Sequence, residues 1–209
     1  MTTEPKRIVV GITGASGAIY AQRMVQLAVA AGVHTHLVVS PLGRRLLHDE
    51  LGMETLDLAA LSGLDRPPDH LVYHDIRDVG ATIASGSFRH DGMAIIPCSS
   101  NSLSAVASGQ ASNLIHRAAH VTLKERRKLV LVHREAPLSL VDIRNMEAAT
   151  LAGAIVMPAN PGFYTLPKTV EDVVDFVVGR TLDLLGVEHD LAIRWEKIKP
   201  SLGKPLGKA

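Results

Sequence analysis

Residues 7–32 read RIVVGITGASGAIYAQRMVQLAVAAG, and this stretch decides the fold. Arg7 to Ile12 is a short run rich in Val and Ile without polar/apolar alternation, the pattern of a strand covered on both faces. Gly11, Gly14 and Gly17 then carry the chain through a tight turn into residues 17–31, where Ile19, Met24, Leu27 and Ala31 recur near one helical face. Gly32 follows at a C′ position. A strand, a glycine turn and a helix in that order open a βαβ unit, and the backbone N–H groups at such a helix start make a general anion site.

Further strand-like runs span Thr35 to Ser40, His70 to His74, Met93 to Cys98, Lys128 to His133 and Ala154 to Pro158. Residues 169–186 form a last helix, with Thr169 as N-cap ahead of Glu171 and Asp172 and with Val170, Val173, Val174, Val177 and Leu184 inward. This βαβα alternation predicts an α/β, doubly wound, mainly parallel sheet flanked by helices, with ligands at the carboxyl ends of the strands. At 209 residues the chain is read as a single domain over residues 1–193. Residues 194–209 are a basic tail whose Trp195 is expected to pack on a neighbouring subunit.

Composition narrows the function. Lys+Arg total 22 against Asp+Glu 21, a net charge of +1, which gives no broad attraction to nucleic acid or to an anionic membrane. The single Cys98 cannot form an internal disulfide, and no metal-type Cys/His spacing accompanies it, so a metal-free protein of a reducing compartment is expected. The start MTTEPKRIVVGITG reads unlike a signal peptide, and no run approaches 18 apolar residues, so the expected location is cytoplasmic.

Gly14, Ala15 and Ser16 form the first candidate ligand loop. A dinucleotide fingerprint beginning at Gly11 wants glycine where Thr13 and Ser16 stand, and an acidic residue where Ser40 stands, which counts against NAD. Arg44 and Arg45 leave an NADP phosphate as an alternative. A second hydroxyl-rich helix start, Pro97-Cys98-Ser99-Ser100-Asn101-Ser102, suits a ligand with phosphate and polyol groups, such as FMN. Cys98 reads as a small packing residue. The run Lys124 to Lys128 reads as a solvated helix end, whereas Arg134 and Glu135 directly follow an apolar strand and so stand at the ligand-binding edge. Tyr164 and Arg180 are a chemically sensible pair for a second phosphate. Residues 75–91 form a long Gly/Ser loop, and the ten histidines read as surface or loop groups.

TGASGA at 13–18, ASGS at 84–87, PCSSNSLSAVASG at 97–109, LKERRKLVLVHREAPLS at 123–139 and PGFY at 161–164 together resemble the UbiX-type flavin prenyltransferases. The match runs from about residue 6 to residue 195. The resemblance implies a Rossmann-like subunit in a homo-dodecamer, with active sites at subunit contacts and no metal. It implies transfer of a dimethylallyl group from dimethylallyl phosphate to N5 and C6 of reduced FMN. The product, prenylated FMN, would serve a UbiD-type decarboxylase. Carried over by position, it implies FMN contacts from Gly14, Ala15, Ser16, Ser40, Ser99, Ser100, Asn101, Ser102 and Arg134. It implies phosphate or substrate contacts from Tyr164, Arg180, Ser85, Arg117 and Lys124, which revises the reading of Lys124 as solvated. Catalytic roles fall on Ser16, Glu50, Lys124, Glu135 and Trp195. His133 departs from the proline many relatives carry. The alternatives are an FMN-dependent cysteine decarboxylase of the same fold and a non-catalytic flavin-binding subunit.

Overall fold

The computed structural model describes residues 4–191 and residue 193. Six strands, β1 (Arg7–Ile12), β2 (His34–Val39), β3 (Leu71–His74), β4 (Gly92–Cys98), β5 (Lys128–His133) and β6 (Ile155–Pro158), form one sheet in the order 3-2-1-4-5-6. Every pairing is parallel. Strand order reverses between β1 and β4, which leaves a crevice at their carboxyl ends.

Among the described residues seven α-helices cover the two faces: α1 (Ala18–Ala30), α2 (Pro41–Leu51), α3 (Leu58–Ser62), α4 (Ser100–Ala107), α5 (Leu114–Lys124), α6 (Leu140–Leu151) and α7 (Val170–Leu185). Ile8, Val10 and Ile12 of β1 join Leu37, Val39, Ala94 and Ile96 under α1 and α7. Val9, Val38, Met93, Ile95, Leu129 and Leu131 pack on the opposite face under α4 and α5. Period-2 alternation thus feeds two apolar layers, which is why the strands read as continuous apolar runs.

The two helices whose ranges the sequence gives, at 17–31 and 169–186, lie where expected as α1 and α7, but rotated. In α1, Met24 is buried as expected, with Ala18, Ala21, Val25, Ala28 and Val29, while Ile19 and Leu27 are half-buried and Ala31 is exposed. Small alanines let the helix axis approach the sheet, so the contact stripe follows them and not the bulkiest residues. In α7, Val174 and Val177 are buried with Val178, Leu182 and Leu185, whereas Val173 and Leu184 are half-buried and Val170 is exposed. The cap is as read: Thr169 Oγ1 accepts the Asp172 N–H in a capping box. Residues 75–91 are more ordered than a plain loop, with a 3-10 turn at Thr82–Ala84 whose Ile83 and Ala84 are buried. Among the described residues no helix is long and apolar enough to cross a membrane.

Candidate active site

Thr13, directly after β1, is buried and ties the two halves of the crevice together. Its Oγ1 donates to the Pro97 carbonyl at 2.8 Å and accepts the Ser99 N–H at 2.9 Å, so the glycine turn and the serine turn are one unit. A glycine here, as a dinucleotide fingerprint demands, would leave both groups without this partner. Ser40 and Ser99 cap α2 and α4 by accepting the N–H groups of Gly43 and Ser102 at 2.9 and 3.3 Å. Gly43 lies so close to the end of β1 that a Cβ there would meet the Ile12 carbonyl oxygen at 2.7 Å. That contact lays α2 over the turn.

The start of α1 holds a negative charge from within the chain. Gly17, at φ +121°, is its N-cap and has no side chain to cap with. Glu50, in the last turn of α2, supplies the missing group: its carboxylate accepts the Gly17 N–H at 3.0 Å and the Ala18 N–H at 2.7 Å. The anion site expected at this helix therefore carries a carboxylate on its first two amides. A ligand phosphate must use the neighbouring turn, or Glu50 must swing away.

Arg134 closes the crevice from the other side, its Nε donating to the Ser16 carbonyl at 3.1 Å while its backbone N–H donates to the Cys98 carbonyl. Glu135 beside it is exposed, and its Oε1 accepts the Ala136 N–H. Tyr20 is half-buried near Arg134; burial raises its hydroxyl above the ordinary value and the guanidinium opposes this. Cys98 is fully buried, and burial pushes its thiol up to about 12, consistent with the packing role. Gly14, Ala15, Ser16, Ser40, Ser99 to Ser102 and Arg134 thus gather at one carboxyl edge, with Glu50 and Glu135 at its margins.

The other expected residues form separate patches. Lys124 ends α5 just before β5 begins, at the amino edge of the sheet, and its Nζ donates to Glu125 at 2.5 Å. A six-residue strand separates the two edges by roughly 20 Å. Ser85 hydrogen-bonds Ser87, and a Cβ on the next residue, Gly86, would meet Lys124 Nζ at 2.8 Å. Arg117 Nε donates to the Ala84 carbonyl at 3.2 Å. Ser85, Arg117 and Lys124 therefore share one side of α5, apart from the glycine and serine turns. Tyr164 packs edge-on against Phe176 of α7 at 5.8 Å, and Arg180, one turn further along, pairs with Asp183 at 3.1 Å. Trp195 lies outside the described residues.

Sequence reasoning missed several groups. Arg127, read as solvated with its neighbours, is half-buried and donates to the Phe88 and Gly86 carbonyls at 2.6 and 2.8 Å. The histidines read as surface groups include His36, His90 and His133, all buried. His133 Nε2 meets Ser100 Oγ at 3.1 Å, and half-buried His116 Nε2 meets Ser102 Oγ at 3.3 Å. Tyr20 was signalled only by being an aromatic just past the glycine turn in a chain with 3% aromatic residues. Among the described residues no group of three or more His, Cys, Asp or Glu is arranged to hold a metal ion.

Known proteins are similar to this chain in sequence and fold. The family model Flavoprotein matches residues 1–182. A flavin prenyltransferase UbiX of Halalkalibacterium halodurans is 47% identical over 188 residues, spanning 89% of this chain and 91% of that protein. The crystal structure of AnUbiX (PadA1) in complex with FMN and dimethylallyl pyrophosphate is similar with a TM-score of 0.80 and 40% identity, over 92% of this chain and 98% of that one. A dodecameric FMN-dependent UbiX-like decarboxylase from Escherichia coli O157:H7 gives 0.79 and 42%, over 90% and 98%. With the six-stranded order, the paired glycine and serine turns and this extent of identity, the chain belongs to the flavoprotein family and, within it, to the UbiX-type flavin prenyltransferases.

Proposed function

We propose that this protein joins a dimethylallyl group from dimethylallyl phosphate to N5 and C6 of reduced FMN, and that its prenylated product supplies a UbiD-type decarboxylase. The observation that carries the reading is the single carboxyl edge where Gly14 to Ser16, Ser40, Ser99 to Ser102 and Arg134 meet, in a chain 40% identical to a structure holding FMN and dimethylallyl pyrophosphate. The donor set fits a phosphorylated polyol: hydroxyls and amides at the α4 start, with a guanidinium over the opening.

Bound at that edge, reduced FMN supplies the electron-rich nitrogen and carbon that are alkylated. The residues do the rest. When the allylic C–O bond breaks, its electron pair leaves with the phosphate, so positive groups must meet the growing charge; Lys124, Arg134 and Arg180 are assigned to this. Ser16 is assigned to the flavin N5 side, and Glu50 or Glu135 to the proton lost at C6. Tyr164 is assigned to the phosphate and to the wall that shields the allyl group from water.

These groups occupy different patches of one subunit, so the reading includes a site completed between subunits of a homo-oligomer. Leu140, Val141, Ile143 and Leu151 of α6, Phe163 and Leu166 before α7, and Val170 at its start are exposed apolar residues that such contacts would cover. A cytoplasmic location accords with a single, buried, unpaired cysteine. Anaerobic incubation with reduced FMN and dimethylallyl phosphate, then with the pyrophosphate, followed by mass analysis of the released flavin, tests the proposal. A flavin heavier by one dimethylallyl unit is expected; unaltered FMN with both donors would overturn it.

A further inference from the structure

Two serines of the first turn of α4 each have an imidazole nitrogen aimed at them from behind the site. His133 reaches Ser100 from the end of β5, and His116 reaches Ser102 from the first turn of α5. The tautomer of His116 follows from its other nitrogen. Asn113 Oδ1 accepts the His116 backbone N–H at 3.0 Å, which fixes the amide so that Nδ2 donates to His116 Nδ1 at 3.1 Å. The ring proton is then on Nε2, and it donates to Ser102 Oγ. At Ser100 the carboxylate of buried Asp142 decides the polarity. It accepts from Ser139 Oγ at 2.6 Å, and the hydrogen bonds of Ser139 and then of Ser100 hold its carboxyl down to about 2. A carboxylate only accepts, so the Ser100 proton points to Asp142 and His133 donates from Nε2. The order is Asp–Ser–His, with the serine in the middle. A nucleophilic triad places the imidazole there.

We propose that His116 and His133 are positioning residues of the flavin site, each fixing one serine hydroxyl of the turn Ser99–Ser102 as an acceptor toward the imidazole behind it. The inference rests on that turn binding FMN. Burial lowers both imidazoles below their ordinary range, which keeps them neutral near pH 7 and preserves these tautomers. Ser100, its proton committed to Asp142 and one lone pair to His133, has a single acceptor position left. It therefore meets a hydroxyl or N–H of the ligand and not a phosphate oxygen.

FMN affinity, read from quenching of flavin fluorescence in the full chain, tests this. His133→Leu and His116→Leu are each expected to weaken FMN about tenfold. His133→Gln and His116→Gln, whose amide nitrogen falls near Nε2, should restore affinity to within about threefold of the unaltered protein. Ser100→Ala combined with His133→Leu should lose no more than the worse single variant, since both remove one interaction. If His133→Leu does not fold, His133→Gln against His133→Asn gives the same contrast, because only the longer amide reaches Ser100. Equal affinity of Leu and Gln variants, or additive losses in the double variant, would overturn the proposal. If the unaltered protein binds no FMN, the flavin reading itself falls, and this inference with it.

Discussion

Glu50 and Glu135 show how position separates two similar residues. Glu50 is engaged with the Gly17 and Ala18 amides, whereas Glu135 is exposed beside Arg134. Glu135→Gln is expected to leave FMN binding within about twofold and to slow single turnover with dimethylallyl phosphate by about a hundredfold or more. A full-rate variant would remove Glu135 from the chemistry. Glu50→Ala should also cost about 1 kcal/mol of stability in denaturant melts, because it uncaps α1. Cys98 should resist alkylation in the native protein and react only on unfolding, as a thiol with no exposed surface and a pKa of about 12 must. Thr169 was legible in the sequence as a cap because a helix start announces its cap within three residues. Thr13 and His133 were not, because their partners lie 84–86 and 33 positions away along the chain.

At the scale of elements, the segment between β3 and β4 is pinned from below by an imidazole cluster. His36 Nδ1 and His74 Nε2 are 2.9 Å apart, and Phe88 packs edge-on against His36 at 4.9 Å. Arg7 sits over the same phenyl ring at 5.2 Å. Two rings sharing one hydrogen bond cannot both be protonated. Burial, with the charge of Arg7 and the neighbouring imidazoles adding to it, lowers His36 to about 4. His74, His90, His116 and His133 are also lowered, chiefly by burial. Unfolded, these rings bind protons near pH 6.5, so the unfolded chain takes them up first as the pH falls. Stability is then full above about pH 7 and declines between about 6.5 and 4, with His36 alone accounting for about 3 kcal/mol. Urea melts at pH 7.5, 6 and 4.5 check this, and a flat profile would contradict it. The histidine cluster escaped the sequence reading because β2 and β3 are paired through the register His36↔Val72 and Val38↔His74, which periodicity does not reveal. Strand existence and order class were legible from apolar runs; helix rotation was not, since alanine gives little signal of the face it packs.

The whole molecule presents apolar side chains on α6 that a lone subunit leaves uncovered, Leu151 at 83% and Val141 at 65% exposure. Val141→Asp with Leu151→Asp is expected to reduce the proposed homo-oligomer to smaller species by light scattering while FMN still binds. An unchanged mass would place the contacts elsewhere. Fold class could be inferred from one chain because a βαβ unit is local. The proposed site could not, since Lys124 and Ser16, both assigned to it, stand at opposite ends of the same sheet. If neighbours bring those ends together, two crippled proteins should cure each other. Lys124→Ala subunits and Arg134→Ala subunits, each inert alone, would recover turnover when unfolded together and refolded as mixed particles. With equal inputs, about a quarter of the pairings would join an intact half from each parent, a fraction set by chance encounter alone.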